Sequence, residues 1–459
     1  MAVSAAREQP SFDAATFDTF RFLGRNIEPD GLVRLRYGLD DRFVFEERFQ
    51  LPSVTTDVDT PAVQGLLDLL HWTAGVSYYK LAAPPTVSLE SGIPSAAGAR
   101  MLEALYSEGL GEFAIVNGLA RVPSPSFPST PDAPMATAAE PERVLVPVGG
   151  GKDSAVAIEI VRRSGLEFVL FSVGDAAPIA RTAQAARAPR MIVTRRLDPQ
   201  IGELNRQGAL NGHVPITAIV SLVAALTAAV NGFDTVALAN ERSASAANMT
   251  LDGVAINHQF SKSWHAEQLL GAAVAQTGAG VSVVSVLRPA SELSIARCFA
   301  GLPQYHDAFT SCNRSFRLDP AERATSWCTD CDKCRFVFLI LALFLDPETM
   351  VRIFGRSMLD DETQIEDFAL LTGTGGHKPF ECVGEIAEAV AAIRLLATAS
   401  AGGSADPRWS ETPVVRALAA EVLPRFGPAD ARLQELLALS DEHAVPDRLI
   451  DSVRALLGA

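Results

Sequence analysis

The chain has 459 residues, enough for roughly two or three domains with cores of their own. Hydrophobic residues make up 48% and charged residues 20%, as expected of a soluble globular protein. The net charge of −15 argues against a long nucleic acid as partner, since that affinity rests on a basic surface, but leaves room for a small phosphorylated ligand in a local pocket.

Met1 to Pro10 lacks a basic-then-apolar pattern, so no secretory signal is expected. Val33, Leu35 and Tyr37 alternate with Arg34 and Arg36. After Leu39-Asp40-Asp41 come Phe43, Phe45 and Phe49, which predicts a β-hairpin with one buried face. Leu66 to Trp72 reads as helix. Pro123 to Pro141 is rich in Pro, Ser, Thr and Ala with no helix or strand period, and reads as a linker. Short apolar runs then alternate with helical stretches. Strands are expected at Val144–Val148, Phe168–Val173, Met191–Thr194, Thr235–Ala239 and Val281–Leu287, and helices at Ala155–Val161 and Val214–Val230. That alternation predicts a parallel twisted sheet covered on both faces. Val214–Val230 contains Thr217, Ser221 and Thr227 and is short for a membrane span, so it is expected to be a buried helix and no membrane partner is expected.

From about Asp346 the pattern is mostly helical, interrupted by the Gly-rich stretch Gly373–Gly384. The expected division is an N-terminal α+β module over 1–122, a linker over 123–142, an α/β domain with a cysteine cluster over 143–345, and a helical region over 346–459. The sequence does not fix an oligomeric state.

The sharpest local signal is Val148-Gly149-Gly150-Gly151-Lys152-Asp153-Ser154, between a predicted strand and a predicted helix. Glycines let the backbone turn sharply and approach a ligand closely. The following helix aims free N–H groups and its positive dipole end at the same place. Lys152 adds a charge and Ser154 a hydroxyl. It is not a Walker A loop, because Asp153 rather than Ser or Thr follows Lys152.

Cys312, Cys328, Cys331 and Cys334 have the short spacings that let thiolates converge on one metal. A structural zinc, an iron–sulfur cluster and plain reduced thiols are all compatible with that spacing. Clustered cysteines without an export signal suit a reducing cytoplasm.

Further candidates lie elsewhere. Asn240 and Glu241 follow a strand, where open α/β sheets bind ligands, and Glu241 is a candidate for magnesium or a substrate group. His258-Gln259-Phe260-Ser261-Lys262 is a polar cluster, and Asn211-Gly212-His213 opens the long apolar helix. In Gly373–Gly384, His377, Lys378, Glu381 and Cys382 sit among glycines that can wrap a ligand. Lys262 and Lys378 are candidates for binding substrate anions.

The loop at Gly149–Ser154 resembles the PP-loop, Ser-Gly-Gly-x-Asp-Ser, of the ATP pyrophosphatases, with Gly149 in place of the first serine. This resemblance implies a fold of the adenine-nucleotide alpha-hydrolase type. It also implies ATP and magnesium held around Gly149, Gly150, Gly151, Lys152, Asp153 and Ser154, with transfer of AMP to a substrate oxygen. The cysteine set is similar to the zinc-holding set of 7-cyano-7-deazaguanine synthases, which implies a zinc that staples the fold. Taken in order, GGGKDS, NGHVP, LANERSAS, NHQFSKS, the four cysteines and GHKPFECVGE resemble the UDP-N-acetylmuramoyl-L-alanyl-L-glutamate epimerases.

That resemblance implies UDP-N-acetylmuramoyl-L-alanyl-L-glutamate as substrate and inversion of its terminal L-glutamate, with AMP and pyrophosphate released. Catalytic roles would fall to Lys152, Asp153 and Lys262, with Cys382, His377 and His258 as candidates for the proton-transfer base. Other readings are a PP-loop enzyme acting on a deazapurine carboxylate or on tRNA, and an ATP-binding sensor without turnover.

Overall fold

A computed structural model of the chain describes residues 12–134, 140–251, 254–316, 323–376, 378–400, 405–427 and 432–458. The strands are β1 Thr19–Ile27, β2 Leu32–Leu39, β3 Phe43–Gln50, β4 Thr86–Leu89, β5 Arg143–Pro147, β6 Glu167–Val173, β7 Arg190–Arg196, β8 Thr235–Leu238, β9 Met249–Leu251, β10 Val254–Ile256 and β11 Ser282–Ser285. Nine of them form one sheet in the order β11-β8-β5-β6-β7-β3-β2-β1-β4, and β9 pairs with β10 in a small ribbon.

The stretch β11-β8-β5-β6-β7 is parallel throughout. Helices Lys152–Ser164, Ala177–Ala186, Ile216–Asn231 and Trp264–Ala275 link successive strands of this stretch. This is a doubly wound, Rossmann-like α/β arrangement. The chain steps from β5 to β6 and β7 on one side, then returns to place β8 on the other side of β5. The strand order, but not the strand direction, reverses between β5 and β8, so the crevice that gathers ligands in such sheets opens at their carboxyl ends.

Alternation along β5 sorts its side chains into two cores. Val144 and Val146 enter the one that includes the C-terminal helices, while Leu145 enters the other, shared with the N-terminal strands. Helix Ile216–Asn231 lies in the second core with Leu222, Val223 and Leu226 fully buried, as its apolar run predicts. Among the described residues no helix is long and apolar enough to cross a membrane.

The N-terminal third does not stand apart as a separate module. The predicted hairpin exists as β2 and β3, with Val33, Leu35 and Tyr37 buried. Beyond it, β3 pairs antiparallel with β7 through Arg48↔Arg196, Phe49↔Arg195 and Gln50↔Thr194, so the hairpin extends the parallel sheet into a mixed one. The fully buried Glu47 meets Arg195 across this seam, at 2.5 Å between Oε1 and Nε. A charge taken out of water needs such a partner, so this ion pair favours one register.

Candidate active site

The glycine loop leaves β5 at the point where the strand order reverses, and helix Lys152–Ser164 begins directly after it. Gly150 has φ +85°, and a Cβ there would come within 2.7 Å of the Pro178 carbonyl carbon. A Cβ on Gly151 would meet Ser311 Oγ at 2.6 Å. The Gly150 carbonyl is turned away, accepting from Thr310 N–H at 2.9 Å and Thr182 Oγ1 at 3.3 Å. Gly149 N–H donates to Ser154 Oγ at 2.8 Å, which leaves the Ser154 hydroxyl free to donate. At Gly149 itself the nearest atom to a Cβ is 3.7 Å away, so the position that is serine in the PP-loop pattern has room for one.

Lys152 is buried and pairs with the carboxylates of Asp153 and Glu292. Burial opposes the lysine's charge, but these two partners hold its pKa above the ordinary value. Burial also disfavours the Asp153 carboxylate, yet the charges of Lys152 and Lys333 bring it below the ordinary range. Glu292 goes the other way, because burial outweighs its lysine neighbours. Glu292 opens helix Glu292–Ala300, and nothing in its local sequence marked it.

A second group of side chains faces this one. Cys382 Sγ lies 3.6 Å from Lys262 Nζ. Burial works against a thiolate there, but the Lys262 charge, a hydrogen bond to His258 and the charge of Lys333 bring Cys382 down to about 6. His258 Nδ1 is hydrogen-bonded to Glu112 of helix Gly111–Val116. Burial again opposes charge, and the bonds to Cys382 and Glu112 lift His258 to about 9. The His213 ring sits 4.3 Å from that of His258, and burial plus this neighbour lower it to about 4. Burial and the nearby thiol raise Glu381 to about 7.

Two buried amides hold the loops together. Asn248 accepts from His258 N–H at 2.8 Å and donates to the Pro379 carbonyl at 2.6 Å, and Gln259 Nε2 donates to the Val383 carbonyl at 3.2 Å. The position of Cys382 beside His258 is thus fixed by side chains from another loop.

The fold therefore brings the two groups within electrostatic reach of each other: the Lys262 charge acts on Cys382 beside His258 and on Asp153 of the glycine loop. Glu241 is buried, and its charge is felt by Lys262. Asn240 donates to Ser285 Oγ at 3.1 Å, a contact between strand ends. Lys378 faces inward, its ammonium on the carbonyls of Val383 at 3.4 Å and Gly384 at 3.1 Å. Burial lowers its pKa, and those contacts brace the loop rather than offer a free charge. His377 lies outside the described residues. Glu112, Asn248, Glu292 and Lys333 were not singled out from sequence.

Cys312, Cys328, Cys331 and Cys334 converge, with sulfurs all within 4.8 Å of one another. Cys334 Sγ is 3.7 Å from that of Cys328 and 3.5 Å from that of Cys331. Thiolates about 2.3 Å from a tetrahedral zinc stand roughly 3.8 Å apart, so the set fits such an ion. Four sulfurs would fill its coordination and leave no place for a substrate.

Fold and site together define an α/β protein of Rossmann-like build, with an anion-suited glycine loop where the strand order reverses and a thiol–imidazole pair facing it. Comparison with known proteins narrows this. The MurL N-terminal domain model matches residues 11–285 and the MurL C-terminal domain model matches residues 308–432. A UDP-N-acetyl-alpha-D-muramoyl-L-alanyl-L-glutamate epimerase from Xanthomonas oryzae pv. oryzae is 39% identical over 452 residues, covering 97% of this chain and 99% of its own. Proteins of the same name from a Micromonospora species and from Salinispora tropica are each 41% identical, over 95% and 97% of this chain and 98% and 96% of theirs. No solved structure matches. The chain belongs to the UDP-N-acetylmuramoyl-L-alanyl-L-glutamate epimerase family.

Proposed function

We propose that this chain inverts the terminal L-glutamate of UDP-N-acetylmuramoyl-L-alanyl-L-glutamate through an acyl-adenylate, consuming ATP and releasing AMP and pyrophosphate. The observation that carries this reading is an anion-suited glycine loop within electrostatic reach of a buried thiol–imidazole pair. Either half alone would suit many chemistries. Together they suit a reaction that first activates a carboxylate and then moves a proton beside it.

The α-proton of a carboxylate is very weakly acidic, because its removal sets a second negative charge beside the first. Once the carboxyl oxygen has displaced pyrophosphate from the nucleotide, that first charge is gone and a base of ordinary strength suffices. In this reading the N–H groups of Gly150 and Gly151 and the Ser154 hydroxyl cradle the departing pyrophosphate. Lys152 neutralises phosphate charge, and Asp153 and Glu241 are the carboxylates suited to magnesium. Lys262 pairs with substrate anions and with the Cys382 thiolate. Cys382 takes the α-proton, while His258, kept protonated by Glu112, is the adjacent acid. A proton from water, delivered to the face opposite Cys382, inverts the centre, and hydrolysis by water then releases AMP. The cysteine cluster holds zinc as a staple, and its reduced thiols suit a cytoplasmic location.

The test is incubation of the protein with ATP, magnesium and the UDP-linked muramoyl dipeptide in D2O. AMP, pyrophosphate and deuterium at the glutamate α-carbon are expected. AMP without deuterium would reassign the chain to another adenylation, and ADP in place of AMP would remove the acyl-adenylate altogether.

A further inference from the structure

Lys333 lies between two of the clustered cysteines, in Cys331-Asp332-Lys333-Cys334. Cys331 immediately precedes helix Asp332–Leu341, so Lys333 sits in its first turn. The spacing of thiols around a metal asks nothing of the residue between them, and an exposed side chain would serve. Instead Lys333 is only 6% exposed. Lysine is rarely buried to that degree without a reason.

Its surroundings suggest one. The Lys333 ammonium is 3.8 Å from Glu292 Oε1, while Lys152 holds the other oxygen of that carboxylate. At 3.8 Å the contact is an ion pair but too long for a hydrogen bond. Among the described residues the ammonium has this ion pair and no hydrogen bond, so its donors remain available. Lys152 is shared between Asp153 and Glu292, so Lys333 also balances this pair of carboxylates, but at a distance that leaves its hydrogen-bond donors unspent. The Lys333 charge is felt by Asp153 of the glycine loop and also by Glu381 and Cys382 on the facing loop. Lys333 therefore lies within electrostatic reach of both groups.

Resting on the reaction proposed above, we propose that Lys333 is a catalytic residue that the cysteine cluster delivers to the site: its ammonium binds the junction between the nucleotide α-phosphate and the glutamate carboxyl. Covalent distances support this placement. In an acyl-adenylate the phosphorus, the bridging oxygen, the carbonyl carbon and the α-carbon follow one another, so a substrate held by the glycine loop at one end and met by Cys382 at the other must set that junction between them. As the carboxyl oxygen attacks, negative charge is carried by the oxygens around the α-phosphorus, and later by the carbonyl oxygen as the α-proton leaves. A fixed cation with unused donors stabilises both without reorganising. The cluster then has a purpose beyond stapling, because anchoring the thiols on either side of Lys333 fixes where its chain begins.

Full-length Lys333→Met and Lys333→Gln variants test this through substrate-dependent exchange of labelled pyrophosphate into ATP, which reads adenylation apart from proton transfer. Both are expected to unfold at the parent's temperature, to keep a KM for ATP within about threefold, and to lose about 100-fold or more in exchange rate. Exchange within about threefold of the parent in both would overturn the proposal and leave the epimerase reading standing. If neither variant folds, Lys333 is a structural lysine and the proposal also falls. A parent without exchange sinks the acyl-adenylate reading, and this inference with it.

Discussion

Cys382 and Lys262, 120 residues apart in sequence, meet with sulfur and ammonium 3.6 Å apart. Burial alone would keep the thiol protonated, so the cations set its state. With His258 lifted to about 9 and Cys382 lowered to about 6, the thiolate–imidazolium pair exists between those two values. Below that window the thiol is protonated, and above it the imidazole is neutral. Iodoacetamide labelling of Cys382, followed by peptide mapping, should rise with a midpoint near 6, and Lys262→Met should move that midpoint upward. A midpoint unchanged in the variant would mean that Lys262 does not hold the thiolate.

The Cys382→Ala variant separates the two chemical stages. Pyrophosphate release should stay within about tenfold of the parent, while deuterium uptake at the α-carbon should drop by about 100-fold or more. Normal uptake in this variant would transfer the base to His258.

Neighbouring glycines should respond in opposite ways. Gly150→Ala meets the Pro178 carbonyl carbon at 2.7 Å and sits at φ +85°. The strain should cost about 1–3 kcal/mol of stability and abolish AMP formation. A Cβ at Gly149 meets nothing closer than 3.7 Å, so Gly149→Ser, which supplies the serine of the PP-loop pattern, should keep or tighten ATP binding. Urea unfolding and calorimetric ATP titration read these effects, and equal behaviour of the two variants would count against the loop geometry.

Protein purified under reducing conditions should carry about one zinc per chain, measured with a chelating dye after the thiols are blocked. Cys328→Ser should lower zinc content and melting temperature together, because metal binding and folding are coupled. Metal-free protein with an unchanged melting temperature would reduce the cluster to a group of thiols.

The glycine loop was legible because its glycines, Lys152, Asp153 and Ser154 are consecutive residues between a strand and a helix. The parallel strands were legible for the same reason, as short apolar runs at regular intervals. What escaped was contributed from afar. Glu112 reaches His258 across 146 positions, and helix Gly111–Val116 is too short to announce a functional face. Asn248 looks like an ordinary polar loop residue until its two contacts, to His258 and Pro379, are seen. Lys378 was misleading for the converse reason: a lysine among glycines suggests a ligand, but carbonyls of its own loop satisfy it. The β3–β7 seam was hidden because no local pattern states which strand edge meets which.

That seam bears on how the chain comes into being. Glu47 precedes its partner Arg195 by 148 positions, so at about 5–20 residues per second the ribosome exposes β3 roughly 7–30 s before the segment that will cover it. For that interval the hairpin presents an open rim to any passing polypeptide. The run Glu46-Glu47-Arg48 on that rim is a charged guard of the kind that discourages stray pairing. The residues that later join the two halves of the sheet are thus of the kind that keeps an uncovered strand edge from pairing elsewhere.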